Sequence, residues 1–158
     1  MRTVPDREFV RIQEEGVLMF NPSRDDARNF LFDSWRKHRE GAVMTPLEAM
    51  VVRLIARHPE YHELLQNPHL YQQRDYSPEV GETNPFLHLM MHLTLEEQIS
   101  IDQPQGVRAH FKRLSERYQS EHEAHHKMIE CLGEMLWQSQ RTASAPDASL
   151  FLDCLERF

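Results

Sequence analysis

Histidine is the residue type in this chain whose number and spacing could do chemistry. The sequence holds ten histidines in 158 residues, and six of them form three pairs four residues apart. On an α-helix, two residues four apart project from one face about 5–6 Å from each other, which lets two imidazoles bind one metal ion. The pattern predicts a divalent metal site, with zinc first and iron or nickel also suited to imidazole ligands. The pairs are His58/His62, His88/His92 and His122/His126.

The three pairs differ in how strongly their surroundings favour a ligand role. His88 and His92 share a predicted helix face with Leu95 and Ile99, and a buried imidazole needs a metal or a hydrogen-bond partner. Pro59 separates His58 from His62, so His62 is the preferred ligand, and a helix-capping role is the alternative for His58.

The third pair has a competing neighbour. His125 lies on the apolar centre of its predicted helix, whereas His122 and His126 form an adjacent stripe. Spacing favours His122/His126 and burial favours His125, and the sequence leaves both open. The predicted metal ligands are His62, His88, His92, His122 and His126. The alternative for every pair is a structural histidine satisfied by hydrogen bonds.

Two more specific metal-binding motifs match the sequence only in part. Residues 122–126 read HEAHH, a zinc-peptidase H-E-x-x-H with Glu123 as base, but Ile129 stands where a metzincin would have its third ligand. A ferritin-like di-iron site needs two E-x-x-H motifs, and only Glu123–His126 fits. A mononuclear histidine-rich site is therefore the better match. With an open coordination position it would activate water, with Glu123 or Glu130 as base, although no substrate is indicated.

The elements that must position these residues are all predicted to be helices. Ser23 and Thr45 are N-caps, the latter with Pro46 and Glu48 completing a capping box, and Gly41 ends the first helix. The fold class is all-α, a helical bundle of about five to six helices of which four form the core. Predicted helices run from about 24 to 40, 46 to 58, 85 to 101, 107 to 118, 121 to 141 and 148 to 158. A short turn or two is expected at 59–66.

Domain organisation and topology follow from the same pattern. Residues 1–18 are predicted to be a polar N-terminal extension, and residues 19–158 a single helical-bundle domain. The connection at 67–83 is long, as in functional lids. If the helices before and after it are antiparallel neighbours, all three histidine pairs lie at one end of the bundle.

Composition excludes several classes of protein. The 18 Lys and Arg against 25 Asp and Glu give a net charge of −7, which disfavours nucleic-acid binding. The longest stretch without these charges is 83–95, whereas a membrane span needs about 20 apolar residues, and no signal segment is visible. Cys131 and Cys154 form no disulfide framework, so we expect a reducing cytoplasm and a buried, inert Cys131.

Four stretches of the chain also resemble a known family. The bacterial domain of unknown function 1841 family has similar sequence over nearly all of residues 19–158, most specifically at NPFLH-x-x-x-H and DQP. The resemblance implies a bacterial cytoplasmic protein, and it implies no activity, substrate or catalytic residue. The stretches are MFNPSRDDARNF, TPLEAMVVRLIARHPEYH, GETNPFLHLMMHLTLEEQISIDQPQGVR and EHEAHHKMIECLGEMLWQSQR.

Two function hypotheses from different classes remain. The first is a metal-binding helical bundle. If one coordination position of the metal stays open to water, the protein would be a metal-dependent hydrolase of an unidentified small-molecule substrate. The second is a metal-free interaction or scaffold protein whose histidines are structural. A partner protein or a second copy of the chain could cover the apolar helix at 85–101.

Overall fold

Every regular element that the structure describes is a helix, as predicted. The structure is a computed structural model that describes residues 23–77 and 81–158, so the predicted extension at 1–18 lies outside the described residues. Within these ranges there is no strand, and no helix is long and apolar enough to cross a membrane. The α-helices are α1 (Arg24–Glu40), α2 (Pro46–Ala56), α3 (His62–Gln66), α4 (Pro68–Tyr71), α5 (Pro85–Ile101), α6 (Val107–Tyr118), α7 (Glu121–Thr142) and α8 (Ala148–Glu156), and a 3₁₀ helix covers Pro59–Tyr61.

The helix ends are set by the residues that the sequence indicated. The Ser23 side chain accepts a hydrogen bond from the backbone N–H of Asp26, and Gly41 closes α1 in the left-handed conformation at φ 68°. At the start of α2, the Thr45 hydroxyl accepts from the N–H of Glu48, whose carboxylate accepts from the N–H of Thr45. These bonds satisfy backbone groups that have no partner within the helix.

The short turns expected at 59–66 are present as the 3₁₀ helix and α3, and the connection predicted at 67–83 contains a further short helix, α4. Two short helices, α3 and α4, extend regular structure to Tyr71, and the buried Arg28 of α1 holds the residues just beyond α4. Its Nη1 donates to the carbonyl oxygens of Gln72 and Arg74 at 3.0 and 2.8 Å, and its guanidinium lies 4.5 Å from the ring centroid of Phe86. A guanidinium can bond several carbonyls at once, so one side chain fixes the course of this segment.

The chain divides into two compact units, with the boundary inside α5. In the first unit, which ends at Leu93, α1 packs against α2 and α3. In the second unit, from Thr94, α6 and α8 pack against α7. Each unit has its own buried apolar side chains: Leu31, Phe32, Val51, Leu54, Ile55 and Leu89 in the first, and Leu114, Met128, Ile129, Leu132, Phe151 and Leu155 in the second.

The expectation of reduced cysteines is wrong. Cys131 of α7 and Cys154 of α8 form a disulfide, with Cα atoms 5.6 Å apart across 23 residues. Two cysteines far apart in sequence do not reveal whether their helices will lie side by side, and here α7 and α8 do. Cys131 is buried, as predicted, and Cys154 is 4% exposed.

Candidate metal centre

The centre of the candidate site is the pair His88 and His92 on consecutive turns of α5. His92 is fully buried, and the Nε2 atoms of the two rings lie 3.2 Å apart. Two imidazole nitrogens bound to one zinc ion at about 2.0–2.1 Å in tetrahedral geometry lie about 3.3 Å apart. The same separation is that of an N–H···N hydrogen bond between the two rings, and it is also the spacing of two ligands of one ion.

His58 joins this pair from the end of α2. The residue is buried, and its ring centroid lies 5.2 Å from that of His88 and 4.6 Å from that of His92. One ring nitrogen from each of the three histidines lies within 4.8 Å of the others, so all three can face one ion. All three histidines belong to the first unit.

A backbone hydrogen bond prepares His58 for a ligand role. Its Nδ1 lies 2.7 Å from the carbonyl oxygen of Leu54. Because a carbonyl only accepts, Nδ1 carries the proton and Nε2 keeps its lone pair. A metal-binding histidine commonly donates its other ring N–H in this way, which fixes the orientation of the ring.

His62, the predicted partner of His58, has a different position. Its Nε2 lies 2.8 Å from the carbonyl oxygen of Ile55, and its ring centroid lies 4.5 Å from the ring of Trp35. The carbonyl is accessible because Pro59, which would follow in the helical hydrogen-bond pattern, has no N–H. The structure therefore brings His58, rather than His62, together with His88 and His92.

Tyr61 forms an aromatic wall beside the three histidines that the sequence did not indicate. Its ring is stacked on that of His58 with centroids 5.6 Å apart, and it lies edge-on to His88 at 6.2 Å. Burial, reinforced by the charge of Glu60, raises the pKa of Tyr61 to about 12. The phenol therefore stays protonated at neutral pH and can donate a hydrogen bond beside the cluster.

The remaining predicted ligands belong to the second unit. His122 and His126 lie on consecutive turns of α7, with ring centroids 4.2 Å apart. The neighbouring His125 is the buried one, with Nε2 3.5 Å from a carboxylate oxygen of Glu96 and its ring edge-on to Phe111. His125 therefore has a carboxylate and an aromatic neighbour of its own. The interaction with Glu96 was not predicted, because Glu96 lies on a different helix.

The H-E-x-x-H and E-x-x-H motifs predicted on α7 gain no further metal ligand among the described residues of this helix. Glu123, the general base of the H-E-x-x-H match, is exposed in the first turn of α7, where its backbone N–H donates to the Ser120 hydroxyl. Glu130 is exposed and lies 3.3 Å from the ammonium group of Lys127. Both carboxylates thus lie on the solvent side of α7.

Comparison with known proteins identifies a family without a described activity. A family model described as a domain of unknown function, DUF1841, matches residues 23–157. Neither the curated proteins nor the solved structures provide a match to the chain. The function is therefore inferred from the side chains of the candidate site.

Proposed function

The chain belongs to the DUF1841 family, and we propose that it binds one divalent metal ion through His58, His88 and His92. The observation that supports this most is the convergence of three ring nitrogens within 4.8 Å at a largely buried position. Bringing three imidazoles together away from water is costly unless hydrogen bonds or a metal ion compensate. A divalent ion would take the three ring nitrogens as ligands, in place of the contact between Nε2 of His88 and Nε2 of His92.

The ligand chemistry favours zinc, with iron and nickel as further candidates. Three neutral imidazoles form the ligand set of catalytic zinc sites, whereas magnesium and calcium prefer oxygen ligands. The fold supplies no thiolate to this cluster, because both cysteines are joined in the disulfide. Imidazole also suits iron and nickel, so the metal present in the protein has to be measured.

The other predicted ligands remain part of the proposal as additional or flanking groups. His122 and His126 stay a predicted ligand pair of the second unit, because their i,i+4 spacing repeats that of His88 and His92. His62 is proposed to flank the site, held by the carbonyl oxygen of Ile55. Single substitutions at His126 and His62 test these two roles separately from the three-histidine core.

The proposed activity is metal-dependent hydrolysis of a small-molecule substrate of unknown identity. A zinc ion held by three histidines with one open position lowers the pKa of bound water to about 7. The protonated phenol of Tyr61 lies beside His58 and His88, where it can donate to an anion that develops during hydrolysis. The exposed carboxylates of Glu123 and Glu130 take no part in this proposal.

The alternative is a metal-free interaction or scaffold protein in the bacterial cytoplasm. Hydrogen bonds of the kind that structural histidines make favour it. Nδ1 of His58 and Nε2 of His62 each lie against a backbone carbonyl oxygen, and the Nε2 atoms of His88 and His92 lie at hydrogen-bond distance from each other. Another protein or a second copy of the chain would then be the partner. The proposal includes no nucleic acid and no membrane.

Elemental analysis of tag-free protein separates the two hypotheses. We expect about one metal ion per chain in the wild type, loss of the metal in His88→Ala/His92→Ala, and retention in the matched control His69→Ala. His69 is exposed on α4 and lies outside the cluster. Circular dichroism establishes that each variant is folded.

A thermal unfolding series gives a second, independent measurement. A ligand at 100 times its Kd stabilises the folded state by about 2.7 kcal/mol, so zinc should raise the unfolding temperature of the wild type and of His69→Ala but not of the double variant. Wild-type protein that holds no metal after reconstitution with zinc, iron and nickel would overturn the proposal in favour of the scaffold hypothesis.

A further inference from the structure

A pocket in the second unit opens beside the disulfide and has no part in the proposed metal site. Its volume is about 320 Å³, at the lower end of the range of small-ligand sites. Two carboxylates, one guanidinium and one half of the disulfide face it. The lining residues are Glu134, Gln138, Leu150, Asp153, Cys154 and Arg157.

The two sulfurs of the disulfide differ in access. Cys154 lines the pocket, whereas Cys131 is fully buried in α7 among apolar side chains. Disulfide exchange requires a thiolate to approach one sulfur directly. A small thiol in this pocket would therefore reach Sγ of Cys154 and not Sγ of Cys131.

The charged groups around Cys154 suit the reduced form of this residue. Sγ of Cys154 lies 3.5 Å from Oε2 of Glu134, and the Arg157 guanidinium donates to the same oxygen at 2.9 Å. A disulfide sulfur carries no proton to donate, whereas a thiol at this position could donate to the carboxylate. The site thus offers an acceptor that only the reduced protein can use.

The charges also indicate which thiols fit. Asp153 and Glu134 supply negative charge for an ammonium group, and Arg157 supplies a guanidinium with five N–H donors for a carboxylate. A thiol with both groups, as in an amino acid, complements this pattern. In a cytoplasm, moreover, disulfides that form are mostly transient and catalytic or redox-sensing.

We propose that the Cys131–Cys154 disulfide is a thiol-exchange site for small amino-acid thiols. The thiolate attacks Sγ of Cys154, the bond between the two cysteines breaks, and Cys131 leaves as a thiolate that takes up the proton lost by the incoming thiol. A second thiolate then attacks the small molecule's own sulfur in the mixed disulfide, and the bond from that sulfur to Sγ of Cys154 breaks. Cys154 leaves as a thiolate that takes up the proton lost by the second thiol, so the small-molecule disulfide is released and the protein is in its dithiol form. Oxidation by the small-molecule disulfide is the reverse of these steps.

Reduction would release a crosslink without removing all the contacts of α8. Phe151 and Leu155 stay buried on this helix, and the Arg113 guanidinium donates to the carbonyl oxygen of Leu155 at 2.7 Å. Arg117 bonds the carbonyl oxygen of Phe158 at the end of the chain. In the dithiol form α8 therefore stays folded against α7, although the barrier to its separation from α7 is lower.

The test uses the full chain, free cysteine with cystine as probe, and mass spectrometry of the adducts. Cys131→Ser leaves only Cys154 and should form a mixed disulfide with cystine, whereas the matched variant Cys154→Ser leaves only buried Cys131 and should form none. Circular dichroism checks that both variants are folded. Equal adduct formation on Cys131 and Cys154 would overturn the proposed access through the pocket.

Two variants that keep the disulfide test the charge recognition. Reduction of the wild type is followed with cysteine, cysteamine and 3-mercaptopropionate, with rates expressed per thiolate. We expect Arg157→Gln to slow the reaction with cysteine about fivefold and to leave the rate with cysteamine, which has no carboxylate, unchanged. Asp153→Asn should slow reduction of the disulfide by cysteine but not by 3-mercaptopropionate, which has no ammonium group. A wild-type disulfide that none of the thiols reduces would refute the proposal.

Discussion

Breaking the disulfide should lower the stability of the protein by an amount that depends on its position in the chain. The crosslink closes a loop over a sequence separation of 23. In the chain-entropy treatment, a loop of this length removes about 11–12 cal/mol/K from the unfolded ensemble, which corresponds to about 3 kcal/mol at 25 °C. For a chain of this size, each kcal/mol changes the unfolding temperature by about 2–4 °C. Reduction should therefore lower that temperature by about 6–12 °C.

Urea unfolding with and without a phosphine reductant provides the assay. With a slope of about 2 kcal/mol per molar urea, the midpoint should fall by about 1.5 M on reduction. The matched control is Cys131→Ala/Cys154→Ala, which should unfold near the reduced wild type and be insensitive to the reductant. Equal midpoints for oxidised and reduced wild type would refute the reasoning. An equal effect of the reductant on the double variant would assign the change to something other than the crosslink.

Two further predictions concern the first unit. The Lys37 ammonium lies 2.8 Å from the Glu48 carboxylate and is the main cause that holds the pKa of this carboxyl below its ordinary value of 4.5. The ion pair therefore stabilises the folded state above pH 4.5, and this stabilisation is lost as the pH falls through the lowered pKa. The free energy of unfolding of the wild type should fall between pH 6 and 3 more steeply than that of Glu48→Gln, and parallel pH profiles in urea titrations would contradict this. Gly41→Ala should cost about 1 kcal/mol in the same assay, because the left-handed φ of 68° disfavours a side chain although an added Cβ would meet no atom within 4 Å. An unchanged midpoint would show that the backbone relaxes there.

The helix limits were predictable because their determinants are local. A capping residue and the helix it caps are neighbours in sequence, so Ser23, Thr45 and Glu48 could be assigned from spacing alone. Gly41 was predictable for the same reason. The short turns at 59–66 were predictable, whereas the connection at 67–83 was predicted less well, because its carbonyl oxygens at Gln72 and Arg74 accept hydrogen bonds from Arg28, more than 40 residues earlier in the chain.

The candidate site was predictable only where the helix itself sets the geometry. His88 and His92 come together because residues four apart share a helix face, and this needs no tertiary structure. That His58 and not His62 lies beside this pair depends on where the chain turns after Pro59. Carbonyl oxygens near the end of α2 take imidazole N–H donors there, which aims one ring at the cluster and the other at Trp35.

The sequence by itself determined the all-α class, the helix limits and the pairing of histidines on single helices, since each depends on residues within about one or two helical turns. Tertiary structure decided which side chains from different helices meet: His58 with the pair on α5, His125 with Glu96, and Cys131 with Cys154. The physical reason is that spacing along a helix fixes the distance between neighbours, whereas contacts between helices depend on how each one is rotated and packed against the next.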